Sequence, residues 1–380
     1  MEQWVIDLAF PPQEFEGRLA KIRLKMKEAS LDALILTRAE NIFYASGYKA
    51  AHFASWLSEV HAVIIPSEGA PRLMTRSLER ETTRLQWTED PIVYMDHEDS
   101  YAVLTGVLRE SGSEAKVIGL EERFLKVSQF KKIQRYVPDA TLVDASGLVE
   151  GVAAIPSKAE SACMREAARI TDIGFHAGLE NIKDGVYPYQ IIGKIHEAMY
   201  DAGQRDFDMS LVCVWSGPQG GRMHDTSTTE RIKKGDIVTV EIWGVDNQYK
   251  AGAQGSIYVG ENPPESILKA YDLVSSMHSK AKQAVKPGAT TGDVFSAANS
   301  VYRAAKGTDY YRRCGGSMGL TVFTLDLVKG RKDVLHPGVS LLIQTLVDDP
   351  VLLTCASTVM VTPAGHDELT KPLSALRTSA

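Results

Sequence analysis

Apolar positions in the first 150 residues alternate between a helical period and short unbroken runs. Phe15, Leu19, Ile22 and Met26 recur at helical spacing within a Lys- and Arg-rich segment, which predicts an amphipathic helix. Ala33-Leu34-Ile35-Leu36 reads as a buried strand, followed by the turn-like Arg38-Ala39-Glu40-Asn41. Runs at 60–65, 92–95, 117–120 and 141–143 predict further strands, and Phe130, Ile133 and Tyr136 mark another helix stopped by Pro138. Alternation of this kind favours a mixed sheet covered by helices.

The pattern changes at Ile155-Pro156-Ser157-Lys158. Ser157 is placed to cap a helix, and Glu160 completes a capping box, so a long helix is expected through about Asn181. A break at 185–189 leads into a second helix near 190–202. Strands are then expected at 211–215, 237–243, 341–346 and 358–361, with one more helix near 264–285. The chain thus divides into predicted domains 1–155 and 156–380, an α/β protein of the α+β kind. At 380 residues and 44% hydrophobic it is long enough for two cores.

Composition narrows the partners. A net charge of −6 and a pI near 5.9 give no general attraction for nucleic acid or anionic lipid, and no run of about 18 apolar residues offers a membrane span. The start, MEQWVIDLAFPPQEF, has no basic segment leading into an apolar run, so a cytoplasmic protein is expected. The basic pairs Lys131-Lys132 and Arg312-Arg313 are short, and Gly315-Gly316-Ser317-Met318-Gly319 does not match a phosphate loop. Cys163, Cys213, Cys314 and Cys355 form neither a CxxC pair nor a zinc pattern, which suits free thiols in a reducing compartment.

The chemistry concentrates in His224 to Gly260, HDTSTTERIKKGDIVTVEIWGVDNQYKAGAQGSIYVG. With Asn41-Ile42-Phe43-Tyr44-Ala45-Ser46-Gly47-Tyr48, it resembles the creatinase, prolidase and aminopeptidase P family, and the likeness extends over nearly the whole chain. The resemblance implies a creatinase-like N-terminal domain followed by a pita-bread catalytic domain. Using Gly235-Asp236, Gly315, Gly319-Leu320, Pro337-Gly338 and Val361-Thr362 as rulers, the family's five metal-ligand positions fall on Glu241, Gly252, Gly316, Gln344 and Ala356. One carboxylate remains. Two dications held close together need several anionic oxygens and a His, so the resemblance implies a site without metal and without another cofactor.

Roles follow by the same resemblance. Creatinase, a metal-free member, shuttles a proton on the His matching His224, and imidazole suits that work because its ordinary pKa lies near neutrality. Gln254 and Gln344 align with the glutamates that hold creatinase's guanidinium, so a neutral or anionic amide-like group is expected there. Glu241 is expected to transfer a second proton or accept a substrate N–H, and Lys250 to anchor a substrate carboxylate. Cys314 and Cys355, beside former ligand positions, raise a thiol nucleophile as an alternative. Family members close the partner's site across a homodimer, which makes His52, Phe53 and Trp56 lid candidates. The expected activity is metal-independent hydrolysis of a non-peptide C–N bond in a small amide, ureido or cyclic amidine compound. Two alternatives stand beside it: a lyase or isomerase using His224 as base, or a non-enzymatic binding module.

Overall fold

The computed structural model describes the chain apart from residues 1–7, 50–59, 86, 89–90, 111–114, 207–209, 219, 226–228, 372, 374 and 380. The fold has two compact units, Met1–Ala154 and Ile155–Ala380. In the first, strands β1 (Ala33–Leu36), β2 (Ala62–Pro66), β3 (Arg72–Arg76), β4 (Ile92–Tyr94), β5 (Val117–Leu120) and β6 (Thr141–Asp144) form one sheet in the order β4-β3-β2-β1-β5-β6. Central β1 pairs antiparallel with β2 and parallel with β5, so the sheet is mixed.

Its first helix, α1 (Pro12–Glu28), buries Phe15, Ile22 and Met26. Leu19 is only half-buried, and the inner place falls to Arg18. That guanidinium lies over the rings of Phe10 at 4.3 Å and Tyr44 at 4.4 Å, donates to the Tyr44 carbonyl at 3.2 Å and lies 3.5 Å from the Glu14 carboxylate, so a buried cation has an opposite charge beside it. Residues 38–41, read as a turn, instead open helix α2 (Ala39–Ser46). The cause is distant in sequence: the Glu121 carboxylate accepts the Arg38 N–H at 2.8 Å and also the Thr37 N–H and the Asn41 side-chain amide, so the backbone entering the helix is held from just beyond β5. Helices α3 (Ser100–Glu110), α4 (Val127–Tyr136) and α5 (Leu148–Ala153) complete the described part of this unit.

The second unit opens with α6 (Lys158–Asn181), and its capping box is formed: Ser157 Oγ accepts the Glu160 N–H at 3.2 Å while Glu160 accepts the Ser157 N–H at 2.6 Å. Next come α7 (Pro188–Asp201), β7 (Leu211–Gly217), β8 (Ile237–Asp246), β9 (Tyr249–Val259), α8 (Glu265–Gln283), α9 (Thr291–Lys306), β10 (Gly315–Ser317), β11 (Ser340–Val347), β12 (Leu353–Thr362), β13 (Gly365–Glu368) and β14 (Arg377–Ser379). The sheet runs β10-β11-β12-β9-β8-β7, with β13 beside β12 and β14 beside β9. Sequence reading missed β9, because its Ala-Gly-Ala-Gln-Gly core lacks the apolar bulk of a strand. It forms through a two-residue turn in which Asn247 and Gln248 both take positive φ, 46° and 67°, matching the twist of a hairpin. Helix α9 was missed too; Thr290 caps it by accepting the Asp293 N–H at 3.1 Å.

Side chains alternate across this sheet. Val214, Val238, Val240, Ile242, Ala253 and Ile257 face a core made with α6 and α7. Ile343, Val347, Leu353, Cys355, Val359 and Val361 face a second core made with α8 and α9. All the helices' apolar stripes are spent on one face, which leaves the residues in between for the site.

Candidate active site

Three rows of cross-strand neighbours lie on that other face. In the middle row the register links Cys213 to Glu241, Glu241 to Gln254, Gln254 to Ala356, and Ala356 to Gln344, across β7, β8, β9, β12 and β11. Two residues along, one flanking row carries Leu211, Trp243 and Gly252, and further across the sheet Leu342 and Gly316. The other flanking row carries Trp215, Thr239, Ser256 and Thr354, whose hydroxyls bond Thr239 to Ser256 at 2.7 Å and Ser256 to Thr354 at 3.3 Å.

The middle row is one chain of hydrogen bonds. Glu241, 3% exposed, accepts from Gln254 Nε2 at 3.3 Å, and Gln254 Oε1 accepts from Gln344 Nε2 at 2.9 Å. The carboxylate sets the direction, because an ionised carboxylate only accepts. Gln254 must therefore donate to Glu241 and turn its oxygen to Gln344, which leaves Gln344 Oε1 as the amide acceptor at the end of the chain. Glutamate at 254 would place a second carboxylate against Glu241.

His224 arrives from outside the sheet, on the loop between β7 and β8. Its φ of 61° lies in the left-handed region, and the turn is closed by Asp225 N–H donating to the Arg222 carbonyl at 3.0 Å. The imidazole stands edge-on to Trp215, ring centres 5.9 Å apart, with Nε2 3.3 Å from Glu241 Oε2. Its side chain is 60% exposed, so a substrate can reach it. The hydrogen bond to Glu241 holds the imidazolium, raising its pKa above the ordinary value; partial burial and the nearby Arg312 charge oppose this. A histidine and a carboxylate in contact, one open and one buried, form a proton-transfer pair.

This pair opens into a cavity of about 300 Å³, lined also by Cys213, Trp243, Arg312, Phe323 and Gln344. His224, Glu241 and Gln344 are thus brought together. Gln254 is 1% exposed and does not line the cavity: it positions Glu241 instead of binding substrate. Lys250 is also misassigned as an anchor, since its ammonium is buried and donates to the carbonyls of Gln248 at 3.0 Å and Leu320 at 2.7 Å. His52, Phe53 and Trp56 lie outside the described residues. Burial pushes the Cys314 and Cys355 thiols up to about 12, and neither lines the cavity, so the thiol alternative loses its geometry. Cys213 does line it, but burial and the Glu241 charge push that thiol up to about 11, away from the nucleophilic thiolate.

Sequence reading missed Arg312 and Phe323. In the sequence Arg312 is half of a short basic pair, and Phe323 sits in a stretch with no periodicity. Phe323 has φ 54°, and its ring packs near Trp243, centres 6.1 Å apart. Met318, Leu342 and Ala356 complete an apolar cluster with these two rings and Val322.

That cluster decides whether the family's metal pair fits. A Cβ on Gly316 would stand 2.5 Å from Phe323 Cδ1 and 2.6 Å from the Leu325 carbonyl oxygen, and one on Gly252 would stand 2.8 Å from Trp243 Cδ1. The space beside two ligand positions is filled by rings. The indole N–H of Trp243, next to Gly252, meets no acceptor among the described residues. Among the described residues no group of three or more His, Cys, Asp or Glu side chains is placed to hold a metal ion. These residues do not fit a centre for two dications.

With the geometry in place, known proteins supply the class. Residues 162–360 match the metallopeptidase family M24, and residues 18–155 match the creatinase/prolidase N-terminal domain. The chain belongs to this family of pita-bread enzymes, whose named members include hydrolases of several kinds. Among its relatives is an uncharacterised hydrolase/peptidase, y4tL, of Sinorhizobium fredii, 26% identical and covering 95% of this chain and 96% of that protein. Creatinase of a Bacillus species is 24% identical over 77% of this chain and 72% of its own. The Xaa-Pro dipeptidase of Pyrococcus furiosus is 25% identical over 93% and 97%. In structure, dipeptidase PepE of Mycobacterium ulcerans superposes with a TM-score of 0.82 at 22% identity, covering 97% of this chain and 99% of its own.

These relatives overturn one expectation. Dipeptidases and hydrolase/peptidases stand beside creatinase, in a family named for metallopeptidases, so the reading of a metal-independent hydrolase confined to non-peptide C–N bonds does not hold. That reading rested on the residues at the five ligand positions, on Gln254 and Gln344, and on the likeness of the His224 segment to creatinase. No helix among the described residues is long and apolar enough to cross a membrane.

Proposed function

We propose that this protein is an amide hydrolase acting on a short peptide or peptide-like amide. The observation that supports it is the His224–Glu241 contact, 3.3 Å, at the wall of a cavity of about 300 Å³, a volume at the lower limit for small-molecule sites. In this reading the neutral imidazole takes a proton from water as the water oxygen bonds to the carbonyl carbon. The imidazolium, held by Glu241, then gives that proton to the nitrogen as the C–N bond breaks, leaving an acid and an amine. Gln344 Oε1 accepts a substrate N–H. The dipeptidase names among the relatives support the peptide-like class.

A homodimer is proposed with it, on the family likeness, and the thiols of Cys213, Cys314 and Cys355, none of them in a disulfide, favour a reducing, cytoplasmic setting. Light scattering on the purified chain tests the assembly, and a monomer would remove it. The activity is tested by incubating the chain with a panel of dipeptides, Xaa-Pro dipeptides included, and N-acyl amino acids, with products read by mass spectrometry. Cleavage that is lost in His224→Ala supports the reading; cleavage that survives that change, or none across the panel, removes it.

A further inference from the structure

We propose that Arg312 binds a carboxylate of the substrate, so that the site selects acids over their neutral analogues. This deepens the amide-hydrolase reading and rests on it for the word substrate. The observations concern the cavity rim. Two guanidinium groups line it, and they are not equivalent. Arg313 stacks over the Phe323 ring at 4.1 Å and pairs with Asp326 at 3.3 Å, so its charge is already answered. Arg312 meets the Met223 sulfur at 3.9 Å, and no carboxylate pairs with it among the described residues.

The backbone on either side of Arg312 is fixed. Tyr310, buried, donates its hydroxyl to the Leu346 carbonyl at 3.1 Å and accepts the Leu346 N–H at 3.2 Å. Cys314, also buried, donates its N–H to the Leu327 carbonyl at 2.8 Å, and its carbonyl accepts the Gln344 N–H at 2.9 Å. Arg312 therefore lies between two residues that are both bonded to β11, the strand that carries Gln344. A guanidinium presents a planar fork that matches two carboxylate oxygens, while Gln344 Oε1 offers an acceptor within the same cavity. Leu211, Trp243, Phe323 and Leu346 supply apolar wall. An amide N–H and a carboxylate on one small molecule, as in an N-acyl amino acid or a dipeptide, satisfy both groups.

N-Acetylglycine and N-acetylglycinamide differ only in this carboxylate and serve as probes. Their affinities for the full-length chain are measured by calorimetry, with Arg312→Gln and Arg312→Lys beside it and thermal unfolding as the check on folding. The acid is expected to bind roughly tenfold to hundredfold more tightly than the amide, the worth of one charge-assisted hydrogen-bond pair. Arg312→Gln should erase that preference, and Arg312→Lys should keep part of it. Equal affinities, no measurable binding of either probe, or a preference that survives Arg312→Gln would overturn the assignment. Acid-selective binding through Arg312 without hydrolysis of any amide would leave the anchor standing and remove the hydrolase reading; hydrolysis without acid preference would do the reverse.

Discussion

Two neighbouring rows on one face of a single sheet have opposite characters. The Glu241–Gln254–Gln344 row is polar, and hydrogen bonds between its own side chains link it. The row beside it pairs Trp243 with Gly252 and Leu342 with Gly316, and it is apolar and filled by rings. The difference shows that one face of one sheet serves two purposes: one row is a hydrogen-bond relay beside the cavity, and the other is packing.

The comparison breaks most sharply at His224, which the polar row serves. Replacing it with Ala should lower kcat by roughly 10²-fold to 10⁴-fold, while circular dichroism and the melting temperature stay near those of the parent. A loss of kcat accompanied by unfolding would mean that the polar row serves the fold more than the reaction.

The apolar row is tested by Gly316→His. The new side chain meets Phe323 and a backbone carbonyl, so urea unfolding should show a loss of about 1–3 kcal/mol, the usual cost of overpacking. A variant as stable as the parent would show that the rings yield readily, and the row would then be soft space instead of packing.

Gln254→Leu sharpens the contrast from the other side. It removes a partner from both Glu241 and Gln344 and should cost about 1–3 kcal/mol, the penalty for buried polar groups left unmade. It should also reduce turnover, because Glu241 is no longer held; unchanged stability and kinetics would dissolve the relay.

The smallest effect is in the titration of His224. Its pKa is raised in the folded chain mainly by the hydrogen bond to Glu241. Glu241→Gln should therefore lower it, which nuclear magnetic resonance of the imidazole reads directly. The sign for stability follows by linkage: the raised pKa gives a contribution fully present below the unfolded value near 6.5 and lost as pH rises through the folded one. Solvent around the exposed ring keeps this small. Glu241→Gln should flatten that slope, and a pKa that does not fall would remove the pair.

The polar row was partly legible in the sequence. The family resemblance, with spacing counted from glycines and prolines, picks out His224, Glu241 and Gln344, and the structure brings these three to one cavity. Gln254 was located equally well but given the wrong part, because the direction of an amide depends on what stands on both sides of it. Lys250 failed for a related reason: the carbonyls of Gln248 and Leu320 that hold it come from a turn and from a segment 70 residues away. The apolar row showed only as glycines, since Phe323 and Trp243 reach those positions from other parts of the chain. For the fold, caps written locally were readable, as at Ser157 with Glu160. The start of α2, where Glu121 beyond a distant strand holds the entering backbone, was not, and neither was the small-residue strand β9.

The left-handed backbone of His224 bears on how this protein should be engineered. A histidine there stores strain of order 1–3 kcal/mol, while glycine takes the same conformation freely. Selection for thermal tolerance alone would therefore favour glycine at 224 and enrich well-folded chains without their proton carrier. Any library made for robustness has to be sorted by turnover at this one position.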